Sequence, residues 1–341
     1  MKILTDIPLA QHTTFKTGGA ARFFCIASSE EDVKEAASYA QEHDLRLFVL
    51  GGGSNILIGD RGFDGMVLKV ELRGKAYAEP SDDTGAVVSA AAGEMWDDFV
   101  DETVSKGFYG LENLSAIPGT VGATPIQNIG AYGAEAAHTI VSVRALDTQT
   151  MEFVSLSNAE CRFSYRDSMF KHEKGRYIIT SVDFRLSRTP TPNLSYSDVT
   201  AYFSKKGLKD PTPEDVRRAV IDIRWNKLPD WKLWGTAGSF FKNPIVSAET
   251  FAELKKKYPQ LPGYPEPDGR VKVSLGWILD KACNVKGLCV GHVCTYEKQA
   301  LVLVSKPGGT SEEVVALAQE LMKRVKDKTG LDIEGEVEWV N

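Results

Sequence analysis

The sequence predicts a fold of mixed helices and strands spread over two or three domains, and three observations carry that reading. Its 341 residues exceed what one hydrophobic core commonly serves. Capped amphipathic helices alternate with short apolar strands from end to end, and no internal repeat or low-complexity segment interrupts them. Two strand-like runs meet around Thr148-Gln149 as a hairpin, the local mark of antiparallel pairing.

In chain order, Ser29-Glu-Glu-Asp32 predicts a capped helix start, because the serine side chain accepts an orphan backbone N–H three residues on. That helix runs to about residue 44 and hands over to the strand RLFVL at 46–50, which stops at Gly51-Gly52-Gly53-Ser54-Asn55. ILI and GMVLKV follow as extended stretches, and the polar, turn-rich run at 73–85 reads as a domain boundary. Next come strand AVVSAA, helix EMWDDFVDETVSKG, a long glycine-rich loop, the hairpin TIVSVRALD with MEFVSLS, and strand YIITSVDFRLS. Thr212-Pro213 opens a helix to about Trp225, since proline fits a first helical turn. After Asn226 the pattern predicts helix AETFAELKKKY, a proline-rich loop at 261–269, helix SLGWILDKAC and strand ALVLVS. A long amphipathic helix capped by Thr310 or Ser311 and a final strand EVEWV close the chain.

Composition narrows the function classes. With 43% hydrophobic residues, 25% charged residues and a net charge of −6, the chain reads as an ordinary globular protein with no basic footprint for nucleic acid. No apolar run is long enough to span a membrane, and the N-terminus lacks a signal-peptide core, so a cytosolic location is expected. Five cysteines, an odd number, agree with a reducing compartment. Cys283, Cys289 and Cys294 cluster without CxxC spacing and read as buried or half-buried structural residues; the five histidines are scattered, so no metal site is expected.

Two glycine-rich loops stand out. GGGSN at 51–55 directly follows a strand, where glycine lets backbone amides approach a phosphate, although a tight connection would read the same way. It matches neither GxxxxGK[ST] nor GxGxxG, which disfavours a Walker kinase or a Rossmann dehydrogenase. The second loop runs from Pro118-Gly119 and Gly122 through Gln127-Asn128 and Gly130 to Tyr132-Gly133. An irregular loop of that length is more often functional than not. Further along, GTAGSFFKNP sets Ser239 between glycines and two phenylalanines, and YRDS at 165–168 carries Arg166.

Together with HTTFKTGGAA at 12–21, these motifs in this order resemble the MurB family of UDP-N-acetylenolpyruvoylglucosamine reductases over nearly the whole chain. The resemblance implies a two-part FAD-binding module of the PCMH/vanillyl-alcohol-oxidase type plus a third α+β substrate-binding domain. It assigns 1–72, with 331–341 returning to it, and 73–226 to FAD, and 227–330 to substrate. It also implies non-covalent FAD, NADPH as electron donor, UDP-N-acetylglucosamine enolpyruvate as substrate, and a monomer in the cytoplasm.

The implied chemistry sets three tasks. Hydride passes from reduced flavin to the enolpyruvyl double bond, and the resemblance gives protonation of the other carbon to Ser239. A hydroxyl suffices as an acid when the group it faces is a strongly basic carbanion or enolate. Stabilising the enolate falls to Arg166 and Glu336, work suited to a fixed guanidinium and a hydrogen-bonding carboxyl group. Taken alone, Arg166 reads as a surface ion pair with Asp167, and Glu336 as a solvated edge charge. Gripping UDP falls to Arg224, Lys227, Asn243, Tyr264 and Gln299, with Tyr196 of LSYSDV as an aromatic lid that marks the first MurB subtype. By itself Tyr196 reads equally as a core aromatic leading a helix.

Two other readings share the loops. One is an oxidase of the same FAD-binding superfamily, which would use oxygen as acceptor and commonly binds flavin through histidine or cysteine; none of the five histidines lies in either loop. The other is a flavin-free UDP-sugar sensor. A sensor would have no shared structural reason to carry Ser239, Arg166 and Glu336 together.

Overall fold

The computed structural model describes residues 1–78 and 85–341. Helices and mostly antiparallel sheets are present together, as an α+β class requires. The chain divides into two compact units, one of Met1–Ile7, Ala21–Gly52 and Asp64–Asn226, the other of Pro8–Ala20, Gly53–Phe63 and Lys227–Asn341.

The first unit contains a five-stranded antiparallel sheet in the order Glu152–Ser157, Ile140–Asp147, Tyr177–Leu186, Ala86–Ala91, Lys75–Tyr77. Its hairpin turns where expected, with Asp147 opposite Glu152. Alternation in AVVSAA buries Ala86, Val88 and Ala90 on one face. Against this core, helix Trp96–Ser105 presents Trp96 and Phe99, whose rings meet Phe184 at 5.8 and 5.4 Å. The Trp96 indole donates to the Leu114 carbonyl at 2.8 Å, so its buried N–H is satisfied. A four-stranded sheet in the order Ile3–Pro8, Ala20–Ala27, Phe63–Val70, Leu47–Leu50 includes a parallel pair, Leu47 beside Met66. Helix Glu30–Glu42 begins with the reciprocal Ser29/Asp32 capping box.

Several elements depart from expectation. Strands Ile3–Pro8 and Ala20–Ala27 carry no clear alternation in sequence and are defined by distant partners. The polar run at 73–85 contains strand Lys75–Tyr77, held by pairing with Ala90–Val88; residues 79–84 of that run lie outside the described residues. Helix Ser197–Lys206 follows Tyr196 and ends on Gly207 at φ 67°, a left-handed stop that glycine tolerates. Tyr196 leads this helix but is 37% exposed, so it is not a core residue.

The second unit is built from small sheets packed with helix Ser311–Thr329, whose buried stripe is Val314, Leu317, Leu321 and Val325. Thr310, capped reciprocally by Glu313, starts it. The proline-rich stretch expected as a loop contributes strand Gly263–Pro265 at the edge of a three-stranded sheet, where proline's missing donor does least harm. The helix expected over 274–283 begins as Leu275–Trp277 and widens into a π-turn, Ile278–Ala282. The last strand, Glu338–Val340, runs parallel to Ile56–Ile58.

The clustered cysteines are structural as expected, but two of them are paired, and Cys289 is exposed where a buried or half-buried residue was expected. Cys289 and Cys294 oppose each other across a two-residue turn, with their Cα atoms 4.1 Å apart, and form a disulfide. Cys25, Cys161 and Cys283 are free and buried. Among the described residues, no helix is long and apolar enough to cross a membrane, and no group of three or more His, Cys, Asp or Glu could hold a metal ion.

Candidate active site

The two glycine-rich loops meet inside the first unit. A Cβ on Gly52 would stand 2.6 Å from Gly119 Cα, and one on Gly51 would stand 2.7 Å from Thr120 Oγ1. Backbone therefore lies on backbone here, and any side chain would force the loops apart. Gly122 is equally confined, its added Cβ falling 2.5 Å from that of Ala92. Thr120, only 6% exposed, buries its hydroxyl beside Gly51 without a protein hydrogen-bond partner. Bare backbone and an unspent buried hydroxyl fit a phosphate-bearing cofactor such as FAD. Thr120 carries no motif of its own in the sequence; its place between Gly119 and Gly122 is the one local signal of its role.

The rest of the second loop is tied to YRDS. Asn128, 1% exposed and at φ 45°, donates to Glu135 at 2.7 Å and to the Ser164 carbonyl at 3.0 Å, and accepts from the Ala137 amide at 2.9 Å. Its carboxamide is thereby committed within the protein, leaving main chain as its route of contact with a cofactor. Gln127 is half-buried beside it. Arg166, half-buried and at φ 55°, donates to the Gly130 carbonyl at 2.5 Å. The Asp167 carboxylate meets His172 at 2.8 Å and the Ser168 amide at 3.0 Å. Burial opposes ionisation of Asp167, but these partners prevail and hold its carboxyl below the usual range.

Tyr132, Tyr196 and Arg224 also come together in this unit. The tyrosine rings meet edge-on at 5.3 Å, and Tyr132 hydrogen-bonds Arg224, whose Nε donates to the Ala116 carbonyl at 3.1 Å. Desolvation pushes the Tyr132 hydroxyl up and the Arg224 guanidinium down from their ordinary values. Asn193 donates to the exposed Gly133 carbonyl at 3.0 Å, tying the segment before Tyr196 to the same turn.

The second unit builds its own constellation around GTAGSFFKNP. Phe240 and Phe241 are buried, their rings 5.2 Å apart, whereas Ser239 between them and Gly238 is exposed. The segment is pinned on both sides: Ser239 bridges Val302 and Phe240 N–H donates to Leu301, while Glu336 N–H donates to the Phe240 carbonyl at 2.8 Å. Thus Ser239 and Glu336 sit on adjacent extended segments. Asn55 continues the ladder, donating to the Glu336 carbonyl at 3.1 Å and accepting from Glu338 N–H at 3.0 Å. Buried Gly53 and half-buried Ser54 precede it, and Gly53 C=O accepts from Thr14 N–H at 3.0 Å.

Asn243 and Gln299 converge on the same helix start. Leu275 N–H donates to the Asn243 side chain at 3.0 Å, and a Cβ on Gly276 would lie 3.1 Å from Gln299 Oε1. Lys242 pairs with Glu334 at 3.6 Å. Tyr264 is 46% exposed on its edge strand, and Lys227 is exposed at a helix end.

Residues 229–340 match the model of the UDP-N-acetylenolpyruvoylglucosamine reductase C-terminal domain, and residues 21–156 match that of an FAD-binding domain. The reductase of that name from Chromobacterium violaceum is 45% identical over 340 residues, covering 98% of each chain. The chain belongs to the UDP-N-acetylenolpyruvoylglucosamine reductase family. It is an FAD-dependent oxidoreductase that reduces the enolpyruvyl sugar nucleotide on the way to peptidoglycan precursors. The solved MurB reductase of Thermus caldophilus shares the fold, with a TM-score of 0.66 at 24% identity, covering 100% of this chain and 98% of that one. A VAO-type flavoprotein of Myceliophthora thermophila, TM-score 0.50 at 12% identity, covers 94% of this chain and 73% of its own. The FAD-binding architecture read from the motifs therefore holds.

Proposed function

We propose that Ser239 is the proton donor and that Arg166 with Glu336 stabilises the enolate in this reduction, with NADPH as the electron donor. FAD held non-covalently by the loops at 51–55 and 118–133 would supply the hydride. The serine hydroxyl gives its proton to the carbon that the hydride does not reach, and the alkoxide regains one from solvent. A fixed guanidinium offsets the charge that develops on the substrate carboxylate, which lowers the barrier because it costs no reorganisation during reaction. Glu336 offers the substrate a hydrogen bond from its carboxyl group.

Tyr196, Arg224, Lys227, Asn243, Tyr264 and Gln299 serve the sugar nucleotide, the cations facing phosphate and the aromatics facing the ring systems. In the same reading, 1–72 with 331–341 and 73–226 are the FAD-binding parts, 227–330 the substrate domain, and the protein a cytoplasmic monomer.

The observation that carries this reading is the pinned Ser239 segment, in which an exposed serine precedes two buried phenylalanines, with Glu336 on the neighbouring extended segment. Anaerobic stopped-flow absorbance at the flavin band tests it. NADPH should bleach the flavin, and UDP-N-acetylglucosamine enolpyruvate should restore the colour without oxygen. Recovery only with oxygen would turn the reading to an oxidase; no response to NADPH would remove it as donor.

A further inference from the structure

We propose that Asn128 and Ser168 are positioning residues for Arg166, forming a clamp that presets the guanidinium before substrate arrives. This rests on the reading of Arg166 given above. Arg166 lies within a turn closed by reciprocal backbone bonds between Ser164 and Asp167, at 3.0 and 3.2 Å. Its φ of 55° is one that a residue with a side chain rarely adopts and that persists only where the surroundings impose it.

The surroundings do so from three directions, all leading to one loop. Before the arginine, the Ser164 carbonyl accepts from Asn128 Nδ2 at 3.0 Å. After it, Ser168, 1% exposed, donates its hydroxyl to the Ile126 carbonyl at 2.5 Å. At the side-chain tip, Arg166 Nη2 donates to the Gly130 carbonyl at 2.5 Å. A Cβ on Gly130 would stand 2.8 Å from Arg166 Nη1 and 3.0 Å from Glu135 Cγ, so the guanidinium packs close to bare backbone.

Asn128 is itself overdetermined. Its two N–H groups go to Glu135 and Ser164, its oxygen takes the Ala137 amide, and its own backbone is left-handed. Clamp and arginine thus form one unit, in which both ends of the turn and the guanidinium are referred to residues 126–137. A long arginine side chain has much rotamer freedom to lose, and losing it beforehand removes that cost from the reaction. The clamp acts through Arg166 and touches no substrate.

A double-mutant cycle on the holoenzyme tests this. Ser168→Ala removes one tether; Asn128→Gly removes the other while keeping a residue that accepts the left-handed backbone. Each should slow flavin reoxidation by substrate about 10- to 100-fold, as a small misplacement of a catalytic group does. In Ser168→Ala, which lies outside the cofactor loop, NADPH-driven bleaching and flavin content should stay as in the parent; for Asn128→Gly both half-reactions are scored per bound flavin, and reoxidation should slow more than bleaching. In an Arg166→Ala background the same changes should add less than about twofold, because the residue they serve is gone. Equal effects in both backgrounds, parallel loss of both half-reactions, or no slowing by either variant would overturn the clamp. Should Arg166→Ala itself leave reoxidation unchanged, the arginine's role fails instead; should it slow reoxidation while both clamp variants do not, only the clamp fails.

Discussion

Ser239 and Arg166 are held in opposite ways. The serine sits in a backbone ladder, between the 301–302 segment on one side and the 334–336 segment on the other, and is followed by buried Phe240 and Phe241. The arginine sits in a left-handed turn fixed by side-chain bonds from Asn128 and Ser168. A short side chain is aimed by its main chain alone, so a ladder suffices. A long one needs its tip held as well, and the structure answers with a carbonyl at Gly130.

That contrast orders the expected effects. Ser239→Ala leaves the ladder intact and removes only the hydroxyl, so reoxidation by substrate should fall by about 10²- to 10⁴-fold with NADPH reduction unchanged. Single-turnover absorbance measures both steps. Arg166→Ala should cost the same half-reaction about 10²- to 10³-fold, and Arg166→Lys should recover only part of it, since an ammonium cannot reproduce the planar fork.

The loop contact comes next. Gly119→Ala strains a residue at φ 125°, a backbone that a residue with a side chain rarely adopts, so flavin affinity should fall about tenfold or more, read by fluorescence titration of the apoprotein. Ser239→Ala, by comparison, should retain flavin normally.

The smallest effect belongs to an ion-pair cluster at the end of helix Trp96–Ser105. Glu102 accepts from Lys106 at 2.6 Å and pairs with Lys75, and these partners hold its carboxyl down at about 2. A carboxyl depressed in the folded state stabilises the fold above its unfolded value, near 4.5, and loses that contribution as pH falls towards 2. Glu102→Gln should therefore cost about 1 kcal/mol near neutrality after solvent screening, and less below pH 3. Thermal melts across this range report it.

Much of the fold was legible because its signals are local. The Ser29 and Thr310 capping boxes, the Thr148-Gln149 hairpin and the alternation of AVVSAA each depend on a few neighbouring residues. What escaped depends on distant partners: strands Ile3–Pro8 and Ala20–Ala27, and the short Lys75–Tyr77 edge. The disulfide was legible in principle. In CVGHVC, a two-residue turn at Gly291-His292 sets Cys289 opposite Cys294, but only once the stretch is read as a hairpin.

The candidate site divides along the same line. Motifs pointed to Ser239, Arg166 and the glycine loops by resemblance, while Thr120 and Ser168 emerged from burial and bonding. Asn128 was legible as a loop residue, but its commitment to Ser164 and Glu135 depends on tertiary placement. Local spacing carries no record of which carbonyl a buried side chain will meet.

The most direct test compares Ser239→Ala and Arg166→Ala in one anaerobic stopped-flow series, NADPH first and substrate second. Bleaching rates within about threefold of the parent, with reoxidation slowed at least 100-fold in both, is the result predicted here. Equal slowing of bleaching and reoxidation in either variant would contradict it.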